Sequence, residues 1–149
     1  MNTLDCRAAT YADVSDIYRM GVETFQQHHQ YEWGFEKQFL LDLLDSEAER
    51  GSTDVAEIGG RMVGFLISAI YRPEHEEPSC RFLWFFVVPE WRGLGVSAAL
   101  LHYSMRKYEN RLGIRKFSAA LWVGDSATAR LVAGFGFRRT TSLAVWAKS

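Results

Sequence analysis

Arg92-Gly93-Leu94-Gly95-Val96-Ser97-Ala98 places one cation and two glycines where an apolar strand, Phe85-Phe86-Val87-Val88 closed by Pro89, gives way to an apolar-periodic helix. A strand-to-helix turn of this kind aims several backbone N–H groups into one concavity at the positive end of the helix dipole. That is chemistry for holding a phosphate or diphosphate. Glycine lets such an anion approach the main chain without meeting a Cβ, and Arg92 adds a fixed positive charge.

The elements that must position this cradle follow from periodicity. Leu4 to Ala8 suits a first strand, and Thr10 with an acid three residues on opens a helix carrying Val14, Ile17, Tyr18, Gly21, Val22 and Phe25 at helical spacing. A polar, aromatic-rich stretch from Gln26 to Gly34 interrupts that pattern. Phe35, Phe39, Leu40, Leu43 and Leu44 resume it in a second helix expected to end near Gly51. Asp54–Ile58 and Arg61–Tyr71 read as an antiparallel hairpin across Gly59-Gly60, and the almost wholly apolar Cys80–Val88 reads as a central strand buried on both faces. The helix after the cradle shows Leu101, Met105, Tyr108 and Leu112 along one stripe and stops at Gly113. Phe117–Val123 then completes a right-handed βαβ unit with the cradle at the carboxyl end of its first strand. A short helix capped by Asp125 and a single last strand, Arg138–Trp146, finish the chain. The expected class is α/β with a mixed, mostly antiparallel sheet, helices on both faces and one parallel βαβ unit.

With 149 residues, 48% of them hydrophobic, the chain suits one domain spanning 1–149. No apolar run approaches the roughly 20 residues that cross a bilayer, and no basic leader precedes one, so the expectation is a cytoplasmic protein with no membrane partner. Cys6 and Cys80 lack metal-ligand spacing, which points to two reduced thiols and no metal. Without a dense basic patch, and with an isoelectric point of 6.4, no nucleic-acid partner is expected. The charge is nonetheless uneven. Residues 1–80 carry 6 basic against 15 acidic side chains, a balance of −9, while residues 81–149 carry 11 against 3, a balance of +8. Either these charges mix on one solvated surface, or the second half attracts a polyanionic cofactor and the first a cationic amine.

In element order the chain resembles the GNAT superfamily of N-acetyltransferases. That family's coenzyme A motif, Arg/Gln-x-x-Gly-x-Gly/Ala, is matched by Arg92 to Ser97 after the Val87-Val88-Pro89 context, with Ser97 the one departure. Its later Asn-led helix ending in Leu-Gly-Phe is echoed from Asp125 to Phe135-Gly136-Phe137. The resemblance implies acetyl-coenzyme A as acetyl donor. Val87, Val88, Arg92, Gly93, Leu94, Gly95, Val96, Ser97, Ala98 and Asp125 would bind it, with the pantetheine arm in a gap between the central strand and the next. It also implies a bulge near Val87 that turns the Val87 backbone N–H toward the thioester carbonyl, where negative charge grows during attack.

Transfer to a primary amine of a small molecule or peptide needs that amine neutral, hence a base. The family's strand glutamate falls at Arg81 and its tyrosine acid at Val132, so neither group is supplied in the usual place. His29 and Glu32 are the catalytic candidates instead. Glu23, His28, Tyr31 and Trp33 are candidates to line the acceptor pocket, because the break between the first two helices covers that pocket in the family. Each has a plainer reading as a solvated loop residue or a helix anchor, and Glu74-His75-Glu76-Glu77 reads as a charged surface loop. An acyl-coenzyme A sensor without turnover is the alternative function. A dinucleotide enzyme, which Gly93-Leu94-Gly95-Val96-Ser97-Ala98 also permits, lacks the acid expected about 20 residues on. Leu143, Val145 and Trp146 pack either in the core or against a second copy, which leaves a homodimer open.

Overall fold

The computed structural model describes residues 3–25, 36–46, 49–120, 126–139 and 145–148. In chain order these form β1 (Leu4–Ala8), α1 (Val14–Phe25), α2 (Lys37–Asp45), β2 (Gly51–Ile58), β3 (Arg61–Tyr71), β4 (Ser79–Val87), α3 (Val96–Leu112), β5 (Lys116–Ala120), α4 (Ser126–Gly134), β6 (Arg138–Arg139) and β7 (Val145–Lys148). The strands make one sheet in the order β1-β2-β3-β4-β5-β7-β6, with β4 in the middle. Only the β4–β5 pairing is parallel among the described strands. The mixed, mostly antiparallel sheet with one parallel βαβ unit is therefore present.

Local chemistry explains most boundaries. Asp13 accepts the Thr10 backbone N–H at 2.8 Å and is gripped by Arg7 through two bonds of 2.7 and 2.9 Å, which fixes the chain's entry into α1. Gly59 and Gly60 turn the β2–β3 hairpin with φ of 59° and 76°, a geometry that excludes most side chains. Gly113 ends α3 in the left-handed region at φ 64° and donates its N–H to the Glu109 carbonyl.

Two expected boundaries are corrected. The second helix stops at Asp45, not near Gly51; Gly51 is the first residue of β2, where a Cβ would lie 2.1 Å from the Ser68 carbonyl oxygen. The last segment is not one strand. Arg138–Arg139 and Val145–Lys148 pair antiparallel, and the second of them lies against β5; the segment carries no glycine or proline to mark a break between two strands.

Helices cover both faces. Val14, Ile17, Leu40 and Leu43 of α1 and α2 pack on Val55, Phe65, Ile67, Trp84 and Phe86. On the other face Val96, Leu100, Leu101, Met105 and Tyr108 of α3, with Val132 of α4, pack on Leu66, Cys80, Phe82 and Val87. Leu112, the last position of the expected α3 stripe, is instead 39% exposed.

Within β4 the alternation breaks. Phe82 pairs with Ser68 and Trp84 with Ile67, so Leu83 is an extra residue, a β-bulge. Before it Cys80 and Phe82 face α3; after it Phe85 and Val87 do, while Leu83, Trp84 and Phe86 face α1 and α2. The bulge thus lies at Leu83, not near Val87. Among the described residues Phe82↔Ala119 is the last β4–β5 pair, at the level of the bulge, and Ala120 pairs with Val145.

Candidate functional site

Past the bulge, the main chain of β4 offers hydrogen-bonding groups on its β5 side. Val88 donates its N–H to the Val63 carbonyl at 2.9 Å, so pair Val88–Val63 is the bonded kind and the adjacent pair Val87↔Gly64 is not. The N–H and C=O of Val87 therefore point away from β3, on the β5 side and beyond the last described β4–β5 pair. A strand-like amide chain can pair there. The bulge itself lies four residues upstream of Val87.

The turn follows immediately. Pro89–Trp91 make one turn of 3-10 helix, with Trp91 N–H on the Val88 carbonyl at 2.9 Å. Gly93 and Gly95 then adopt φ of 76° and 89°, each with nothing within 4 Å of where a Cβ would stand. Gly95 caps α3 without a side chain, and the first helical bond runs from Ala99 N–H to Gly95 at 3.0 Å. The N–H groups of Val96, Ser97 and Ala98 accordingly precede the helical ladder. Val96 is buried, Ser97 and Ala98 are half-buried, and Gly93, Leu94 and Gly95 are exposed, so the concavity is open to solvent with an apolar floor.

Arg92 sits differently from the expectation of a cation aimed only at the cradle. Its Nε–H donates to the Val87 carbonyl at 2.8 Å and its guanidinium lies 5.8 Å from the centre of the Phe86 ring. The charge is fixed, as expected, but it is anchored to the end of β4. One side chain ties the strand edge to the anion turn.

The two departures from the family pattern hold in space. Arg81 is exposed and donates its Nε–H to Ser118 Oγ at 3.3 Å, and no carboxylate occurs on β4. Val132 is 1% exposed, and its carbonyl receives the N–H groups of Phe135 and Phe137. His28, His29, Tyr31, Glu32, Trp33 and Asp125 lie outside the described residues, as does Leu143; Glu23 lies within α1. The loop with Glu74 and His75 is exposed and joins the start of β4, the end opposite Val87. Among the described residues no three His, Cys, Asp or Glu side chains group as metal ligands, and no helix is long and apolar enough to cross a membrane. Cys6 and Cys80 are free thiols.

Spacing gave no sign of one buried polar cluster beneath α3. Asp54, 0% exposed, accepts Ser104 Oγ at 2.5 Å and pairs with Lys107 Nζ, which also donates to Ser52 Oγ at 2.9 Å. Tyr108 Oη shares hydrogen bonds with Ser52 Oγ at 2.8 Å and Ser68 Oγ at 2.5 Å. It fastens the helix that bears the anion turn to β2 and β3. The helices on the two faces also differ in sign: α1 and α2 carry more acidic than basic residues, α3 and α4 the reverse.

The fold and this site define an acyl-transfer class of protein, and comparison with known families agrees. The model of the acetyltransferase (GNAT) family matches residues 11–137, and the chain belongs to that family. No curated protein matches it in sequence. Solved structures share the fold at low identity. The PaiA N-acetyltransferase of Thermoplasma acidophilum, in complex with coenzyme A, superposes with a TM-score of 0.79 at 14% identity, covering 99% of each chain. Arabidopsis thaliana Naa50, bound to the bisubstrate analogue CoA-Ac-MVNAL, gives 0.76 at 12% identity over 98% of each chain. An aminoglycoside acetyltransferase from an uncultured soil metagenomic sample, bound to sisomicin, gives 0.69 at 15% identity over 88% of this chain and 86% of its own.

Proposed function

We propose that the protein transfers the acetyl group of acetyl-coenzyme A to a primary amine of a small molecule or peptide, by direct attack in a ternary complex. The observation that carries this reading is the alignment of two main-chain features. The N–H and C=O of Val87 point away from β3 beyond the last described β4–β5 pair, and the N–H groups of Val96, Ser97 and Ala98, which precede the helical ladder, follow a few residues on. A diphosphate in the turn would lead its pantetheine arm along β4, with the thioester carbonyl against Val87 N–H. The structural neighbours bound to coenzyme A or to a coenzyme A–peptide conjugate support coenzyme A as the carrier of the acetyl group.

Attack on the carbonyl carbon forms the C–N bond, expels the coenzyme A thiolate and releases the amine's extra proton. His29 or Glu32 receives that proton in this reading, since Arg81 stands where the family's base would be, and with Val132 at the acid's position the thiolate leaves without a proton from there. Asp125, Glu23, His28, Tyr31 and Trp33 complete the donor and acceptor pockets. A second reading, an acyl-coenzyme A sensor, rests on the absence of a carboxylate from β4 and on the buried aliphatic Val132. The test is a thiol-release screen with polyamines, aminoglycosides, amino acids and peptide N-termini, beside calorimetry with coenzyme A. Turnover with any amine supports the enzyme; binding without turnover supports the sensor; no binding overturns both. Unchanged turnover in His29→Ala would remove His29 as base.

A further inference from the structure

We infer that Gly64 is a positioning residue for acetyl transfer, holding the peptide unit between Phe86 and Val87 in the orientation that aims the Val87 N–H at the thioester carbonyl. The inference rests on the donor placement proposed above. Gly64 pairs with Val87 across β3 and β4, and a Cβ built on it would lie 2.7 Å from the Phe86 carbonyl oxygen. That oxygen and the Val87 N–H are opposite ends of one trans peptide plane. The end facing β3 meets Gly64; the opposite end meets the donor in the placement proposed above. A methyl group at position 64 must push the oxygen away, and a rigid plane pushed at one end turns at the other.

Relief by other movements is blocked. The same Cβ would stand 3.4 Å from Leu100 Cδ1 and 3.4 Å from Val87 Cγ2, both in the packed core under α3. On the far side of the peptide, Val88 N–H is tied to the Val63 carbonyl at 2.9 Å and the Val87 carbonyl to Arg92 at 2.8 Å. Val63 is itself an extra residue relative to β2, since Ala56 pairs with Gly64 and Glu57 with Met62. Both groups of the following Val87–Val88 peptide are thus held, and rotation of the Phe86–Val87 unit is the response that leaves these bonds in place. An isolated glycine inside a strand costs stability, and close approach of another backbone is what it provides here.

The experiment compares wild type, Gly64→Ala and the core variant Val55→Ala, which sits on the opposite face at 0% exposure. Coenzyme A affinity is measured by calorimetry, thermal stability by melting, and carbonyl polarisation by the 13C resonance of bound [1-13C]acetyl-coenzyme A. In wild type the carbonyl resonance moves downfield on binding. In Gly64→Ala that shift is lost and thioester cleavage slows about tenfold or more, with coenzyme A Kd within about twofold, because the diphosphate turn is untouched. Val55→Ala keeps the shift at comparable loss of stability. A Gly64→Ala protein that melts earlier but keeps the full carbonyl shift and rate overturns the inference alone; a wild type that binds no coenzyme A overturns the proposed function first. Should Gly64→Ala not fold, the Gly64 Hα resonance of wild type must respond to acetyl-coenzyme A and not to coenzyme A, and an equal response to both overturns the inference.

Discussion

Arg92 Nε and the Val87 carbonyl oxygen lie 2.8 Å apart, joining the glycine turn before α3 to the end of β4. A hydrogen bond with a charged donor contributes on the order of 1.5–3 kcal/mol. Loss of this tie therefore loosens both ends of the donor site. Arg92→Glu is expected to weaken coenzyme A binding at least 100-fold by calorimetry, because the new charge repels the diphosphate and the strand edge loses its donor. Arg92→Lys keeps the charge but not the planar fork, and about a tenfold loss is expected. Equal affinity in all three proteins would place the diphosphate elsewhere.

Asp54 and Lys107 make the costliest single contact to break. Asp54 is fully buried and the Lys107 side chain is 10% exposed, so removing either partner leaves an uncompensated charge in the interior. Such a break costs about 3–5 kcal/mol, a large share of the roughly 5–15 kcal/mol that holds a domain together. Lys107→Met should lower the free energy of urea unfolding by that amount. The double variant Asp54→Leu with Lys107→Met should recover part of it, because no charge is then stranded. Additive losses in the double variant would show that the two residues act independently.

Acid stability should depend on Asp13. The Arg7 guanidinium, assisted by the Thr10 backbone N–H, holds its carboxyl below the usual 3.8 despite partial burial. A depressed folded-state value means that the stabilisation is fully present above the unfolded value and is lost as pH falls through the folded one. Urea midpoints should thus fall steeply below about pH 4. Asp13→Asn or Arg7→Met should start lower at neutral pH and show a flatter acid limb; an unchanged acid limb in both would sink this account.

Much of the frame was legible in residues. Gly59-Gly60, the Thr10–Asp13 helix start and the Gly113 stop carry their own backbone chemistry, and each appears where spacing places it. What spacing could not carry was parity within β4, because Cys80 to Val87 is apolar on nearly every position and hides the extra residue at Leu83. The position near Val87 came from the family resemblance, and the residues of β4 held nothing to correct it. Asp54 and Lys107 are 53 positions apart, and only the docking of α3 on β2 brings them together. The turn from Arg92 to Ala98, with Gly93 and Gly95 at positive φ ahead of α3, was legible because its geometry is local main chain, whereas contacts such as Asp54–Lys107 are assembled from distant segments.

Alkaline stability should in turn report on Cys80 and Tyr108, which lie side by side under α3. Burial pushes the Cys80 thiol from 9.0 up to about 12, with Asp54 adding to the rise, and burial likewise raises the Tyr108 hydroxyl. A raised folded-state value favours the folded protein fully below the unfolded value, and the contribution drains away as pH climbs from there toward the folded value. Unfolding free energy is therefore expected to decline from about pH 9 upward, and Cys80→Ala should flatten that decline. The same burial keeps Cys80 as an unreactive neutral thiol near neutrality. Thiol reagent followed by peptide mass analysis should label Cys80 only after denaturation. Rapid labelling of Cys80 in the native protein at pH 7 would mean that α3 lifts from the sheet far more often than its buried Asp54–Lys107 and Tyr108 contacts allow.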